Sequence, residues 1–111
     1  MDIGKLTLDE IGQIQQLTNI PTATNHPYEI DKNYFIRTVT MHLTGRLVAV
    51  YPSELVLENA AWIADSGRFS DALKTGSLNE VEPFPDGKVI VGRGSVIDAC
   101  IWAHDLPREK K

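Results

Sequence analysis

One cysteine stands in the whole chain of 111 residues, Cys100. It has no partner to bond with, which excludes an internal disulfide and with it the cross-linked scaffolds of small secreted proteins. Set in an apolar run, Cys100 is expected to be a buried structural thiol in a reducing compartment. Long apolar runs are missing as well: nothing approaches the roughly 18 consecutive residues a membrane-crossing helix needs. The opening segment, MDIGKLTLDEIGQ, is acidic where an export signal needs a basic region and an apolar block, so the expected location is the cytoplasm. Catalytic signatures are absent too. There is no G-x-S-x-G, Walker loop, C-x-x-C, H-E-x-x-H or dinucleotide glycine fingerprint, and His26, His42 and His104 share no ligand spacing. No metal, no cofactor and no enzymatic activity are therefore expected.

Excess positive charge is also lacking. The net charge is −4 and the isoelectric point near 5.2, which argues against binding a long phosphate backbone through clustered Lys and Arg. The imbalance is local. Residues 1–33 hold two basic and five acidic side chains, whereas residues 34–76 hold four of each, so a compact anionic ligand stays compatible with the middle of the chain.

What is present reads as one β-rich domain of modest size. Thr7 and Glu10 form a capping box, predicting an amphipathic helix over 7–18 whose apolar face, Leu8, Ile11, Ile14 and Leu17, must be covered by a sheet or a neighbouring subunit. Residues 19–33, with two prolines and three asparagines, read as a loop. The stretch 34–64 reads as a bent three-strand meander, with turns at Thr44-Gly45 and Pro52-Ser53 and with Arg37 breaking the apolar parity of the first strand. Over 65–76, Ser70 as N-cap and Gly76 as left-handed C-cap predict a loop and short helix. Strands follow within 80–103, the first placed at an edge by Pro83; Gly92-Arg93-Gly94 allows a tight hairpin or a bulge between the last two. The polar tail 104–111 is expected to fray.

The expected architecture is thus α+β and β-rich: a five- or six-stranded, strongly bent Sm/SH3-like barrel with an N-terminal helix and a short helical insertion. A two-layer α+β sandwich is the alternative. Asp98 interrupts an apolar run, either as a solvent-facing strand position or as an acid paired with an arginine. Six residues form the candidate ligand-binding set. Arg37, Arg68 and Arg93 offer forks for phosphate oxygens, and Trp62, Phe69 and Trp102 offer flat faces for a base. Core or interface packing is the competing role of the tryptophans, and a turn closed by an Asp65–Arg68 pair is the competing role of residues 65–69.

Two resemblances accompany these patterns. Residues 34–60, a strand followed by T-G-R-L-V, a short turn and S-E-L-V-L-E-N-A, resemble an Sm-like half barrel. That resemblance implies a bent barrel and a ring assembly, with single-stranded RNA as the family's ligand, although the family's RNA-binding loop residues are not found here. Residues 33–109, through FIRTVT, LTGRLV, AAWIADSGRFSDAL, NEVEPFP and HDLPR, resemble small proteins of tailed phages and prophages. This second resemblance implies the host cytoplasm as the location, and either a virion or assembly component or a counter-defence protein that sequesters a nucleotide signal. The expected partners are further copies of the chain and a small anionic, nucleotide-like ligand.

Overall fold

A computed structural model describes residues 25–111, so the helix expected over 7–18 lies outside the described residues. The chain forms β1 (Asn33–Thr38), β2 (His42–Val50), β3 (Glu54–Asp65), α1 (Phe69–Thr75), β4 (Glu80–Pro83), β5 (Lys88–Gly92), a 3-10 turn (Arg93–Ser95) and β6 (Val96–Ile101). All six strands belong to one antiparallel sheet in the order β4-β3-β2-β1-β6, with β5 also paired to β3. The long strand β3 has two neighbours on one edge. Glu54 to Glu58 pair with β5, and Ala61 to Asp65 pair with β4.

The three-strand meander is present, but its first turn lies elsewhere. Thr44-Gly45 was the expected reversal; the chain instead reverses at 38–41, where Thr38 N–H donates to the Met41 carbonyl at 2.8 Å and Thr38 Oγ1 accepts from Met41 N–H at 3.1 Å. A threonine hydroxyl closes this hairpin, as Ser and Thr do in turns. Gly45 sits inside β2 for a different reason. The register between β2 and β3 slips between Thr44 and Arg46, β3 spending one extra residue at Asn59, which has φ of 53°. A side chain on Gly45 would come 3.1 Å from Leu57 Cβ and 3.3 Å from Ala60 Cβ. The glycine is needed for close approach at a bulge.

That extra residue switches the faces of β3. Before it, Leu55 and Leu57 join Tyr34, Ile36, Leu47 and Val50 in an inner core; beyond it, Ala61 and Ile63 join Phe35, Val81 and Trp102 on the outer face. Ala72 of α1, Leu78 and the tail residue Leu106 cover the outer cluster. Each fully buried Leu contributes roughly 1.5–3 kcal/mol. The helix begins two residues earlier than expected, with Arg68 and not Ser70 in the N-cap position and no side-chain cap, and it is closed as expected by Gly76 with φ of 79°.

Three further expectations are corrected. The barrel does not close: β5 pairs with β3, β6 pairs with β1, and among the described residues no ladder joins β5 to β6. Gly92-Arg93-Gly94 makes a 3-10 turn that carries the chain from one edge to the other instead of folding a hairpin. The tail is not frayed. Lys111 and Val81 exchange backbone hydrogen bonds of 2.9 and 3.0 Å, Arg108 Nη1 donates to the Ala60 carbonyl at 3.0 Å, and His104 Nε2 donates to the Leu73 carbonyl at 2.8 Å. Polar residues here reach sheet and helix carbonyls that have no strand partner.

Gly45→Val should destabilise the fold by about 1–3 kcal/mol in urea unfolding, because overpacking at a bulge forces backbone movement. Thr44→Val should do the opposite. Thr44 is fully buried and its Oγ1 has no hydrogen-bond partner among the described residues, so removing that hydroxyl should raise stability by up to about 1 kcal/mol in the same assay.

Candidate functional site

The six sequence-derived residues fall in three places. On the outer face, Arg37 lies opposite Asp98 in the β1–β6 register and grips it at two points, Nε to Oδ1 at 2.8 Å and Nη2 to Oδ2 at 2.5 Å. The guanidinium also lies 4.4 Å from the centroid of the Phe69 ring. From there a ladder of rings runs inward: Phe69 meets Phe35 edge-on at 5.7 Å, Phe35 meets Trp102 at 5.7 Å, and Trp102 meets His104 at 4.9 Å. Trp102 is only 2% exposed, with its indole N–H donated to the Asp105 carbonyl at 3.1 Å. This cluster unites Arg37, Phe69 and Trp102, and every strong contact in it is internal.

Its electrostatics follow from the ion pair. Hydrogen bonding to Arg37 holds the Asp98 carboxyl below its ordinary range, and the same bond raises the Arg37 guanidinium. Burial, reinforced by the Asp98 charge, pushes the Cys100 thiol up, so it stays protonated at neutral pH. Asp98 is thus both exposed and paired, which merges the two roles its sequence position allowed.

Arg68 stands beside this cluster on the loop before α1. Its side chain is exposed, and none of the ion pairs among the described residues involves it. The loop is closed without it. Asp65 Oδ1 accepts from Gly67 N–H at 2.8 Å, Gly67 takes φ of 68°, and the Asp65 carbonyl accepts from Asn79 N–H at 2.9 Å. Trp62 is separate again, 43% exposed in a shallow apolar hollow with Met41, Pro83, Phe84 and Pro85.

Arg93 belongs to a third site, a groove of about 600 Å³. The 3-10 turn fixes the arginine: its N–H donates to the Ser53 carbonyl at 2.9 Å and its Nη1 to the Tyr51 carbonyl at 2.9 Å. The guanidinium carbon lies 5.6 Å from the centroid of the Tyr28 ring, and Tyr28 in turn packs edge-on against Tyr34 at 6.0 Å. Tyr34 Oη accepts from Glu29 N–H at 2.9 Å, and His26 Nδ1 accepts from Tyr28 N–H at 3.2 Å, so the loop before β1 is braced. The rest of the lining is β6. Volume and composition suit a small ligand: a fork of N–H donors, an aromatic face, and the Glu29 carboxylate as an acceptor for ligand hydroxyls. Tyr28, Glu29 and Tyr34 are absent from the sequence-derived set. The only signal was the run His-Pro-Tyr-Glu in a segment with no periodicity. Among the described residues no group of three His, Cys, Asp or Glu side chains is arranged to hold a metal ion.

The Arg37–Asp98 pair sets an acid dependence. Because the Asp98 pKa is depressed in the folded state, its stabilising contribution is complete above the unfolded carboxylate value of about 3.9 and is lost as pH falls through the folded value. The urea midpoint of the wild type should therefore drop more steeply between about pH 5 and pH 2 than that of Asp98→Asn, which has no carboxylate to protonate. Parallel slopes for the two proteins would show that the pair carries no stability.

No family model, curated protein or solved structure matches this chain.

Proposed function

We propose that this protein is a binding protein rather than an enzyme, and that it sequesters a small anionic, nucleotide-like ligand. The observation that carries this is the groove beside β6, where a guanidinium held by one carbonyl, on a backbone pinned by a second, stands next to the exposed side of a braced tyrosine pair. Arg93 provides charge-assisted contacts to phosphate, Tyr28 a face for the base, and Glu29 an acceptor for sugar hydroxyls. Asp98 also lines the groove, but Arg37 already neutralises it. Arg68, with no ion pair among the described residues, supplies a second cation on the outer face. Retention without turnover makes the protein a sink, which agrees with the counter-defence role that the phage-type resemblance implies.

We read the fold as an opened relative of the Sm/SH3 barrel. Support comes from the β1-β2-β3 meander, β5 on the far edge of β3, and a 3-10 turn leading to β6 beside β1. An RNA-binding ring and a virion component are the competing functions. The first would show affinity for single strands that falls steeply with salt, and the second would co-purify with particles and bind neither ligand.

Thermal-shift and calorimetric titration against cyclic dinucleotides, cyclic oligonucleotides and ADP-ribose derivatives tests the reading. Saturation at about a hundred times the dissociation constant adds about 2.7 kcal/mol to stability, a shift of many degrees for a domain this size. Tyr28→Leu should abolish the shift while leaving the fold intact. Arg68→Ala should leave the melting temperature of the free protein unchanged, and a loss of ligand binding in that variant would move the site to the outer face. A wild type that no nucleotide stabilises ends the sequestration reading.

A further inference from the structure

The inner core runs out of cover at β6. The register sets Ile101 opposite Tyr34 and Ala99 opposite Ile36, and cross-strand partners share a face, so Ala99 and Ile101 continue the face on which Tyr34 and Ile36 build that core. Ala99 packs against it. Ile101, the next inward position, is 46% exposed among the described residues and Ile97 is 64% exposed, because no ladder there brings β5 across to β6. The groove of about 600 Å³ runs along this strand and is lined also by Pro27, Tyr28 and Glu29. The described chain enters the fold at that rim, at Asn25.

We propose that residues 7–18 of the same chain fill this groove as a helix, laying Leu8, Ile11, Ile14 and Leu17 against Ile97 and Ile101. The dimensions agree. Leu8 to Leu17 spans about 14 Å at the helical rise, and Ile97 to Ile101 spans about 13 Å at the rise of a strand. Each partner also lacks what the other supplies, since a helix of twelve residues is marginal in water by itself and the isoleucines of β6 need an apolar neighbour. The tether selects the segment's own groove over that of another molecule. From Thr18 to Asn25 the chain can extend over about 25 Å at most, and a link this short sets a millimolar effective concentration, which a free second copy at tens of micromolar does not match. The proposal does not rest on the nucleotide reading. A nucleotide entering this groove has to displace the helix, and the test below uses ligand-free protein.

Cross-linking of the full-length chain tests it. In a Cys100→Ser background, Ile14→Cys with Ile101→Cys is treated with a short bismaleimide, and Gln16→Cys with Ile101→Cys serves as the control, since Gln16 lies opposite the apolar stripe of the helix. The first pair should link within one chain, several-fold more than the control, as read by mass and peptide mapping. Urea unfolding of variants without new cysteines gives a second readout. Ile11→Asp and Ile101→Asp should each lower the midpoint, and the double variant should lower it by less than the sum, because the two changes remove one contact surface. Additive losses, or equal linking from the two helix positions, overturn the proposal. Links that join two chains overturn it in favour of a groove filled by a second copy's segment, and failure of both pairs to link overturns it by placing the segment away from the groove.

Discussion

A single extra residue at Asn59 holds this structure together as a two-cored object. Strand β3 turns its odd-numbered residues to one core before Asn59 and to the other core beyond it, because the extra residue, in left-handed conformation, offsets the side-chain parity halfway along the strand. Asparagine tolerates that conformation better than most residues. Opposite it, Gly45 leaves the space the bulge requires. The same break explains why the far edge of β3 is shared by two short strands, since neither β4 nor β5 could follow a ladder whose direction changes at residue 59. The Ala60 carbonyl displaced by the bulge is taken up by Phe84 N–H at 2.9 Å and by Arg108, and this ties the tail to the point of greatest distortion.

Two kinds of arginine emerge from that frame. Arg37, Arg46 and Arg108 join elements that are distant in sequence: Arg37 grips Asp98, Arg46 bridges Asp31 and Glu58, and Arg108 reaches β3 and the segment before β5. In each case the planar fork meets a carboxylate or a carbonyl within the molecule. Arg93 and Arg68 differ. Arg93 spends one nitrogen on a carbonyl and turns toward an aromatic ring at a groove, and Arg68 extends from a turn that is closed by other residues. Ligand chemistry is therefore to be sought where the guanidinium is only partly satisfied.

Much of the sheet was legible in the residue pattern because alternation of Leu, Val and Ile in 46–64 leaves few other options. The misplaced turn shows the limit of that reasoning. Glycine marks both a reversal and a close approach of backbones, and only the neighbouring strand tells them apart; the true reversal rested on Thr38, whose hydroxyl bonds are invisible until the hairpin exists. Ser70 failed as a cap for a similar reason, because Phe69 is drawn into the helix by its contacts with Phe35 and Arg37. The pairing of Arg37 with Asp98 spans 61 residues, and nothing local announces it. The polarity of 104–111 suggests a loose tail, whereas His104, Leu106 and Arg108 are anchors whose partners lie on the helix and the sheet. The groove around Tyr28 escaped notice because it is assembled from an aperiodic loop, a 3-10 turn and an edge strand.

The contact between Arg37 and Phe69 has a consequence for how the molecule breathes. Phe69 opens α1, Arg37 lies in β1, and Asp98 lies in β6, so one guanidinium touches the helix and two neighbouring strands at once. Detaching the helix uncovers Phe35 and strips the ring from the guanidinium, which loosens its hold on the edge strand. Amide protons of α1 and β6 are consequently expected to exchange with solvent as one cooperative unit, while those of β2 and β3 wait for global unfolding.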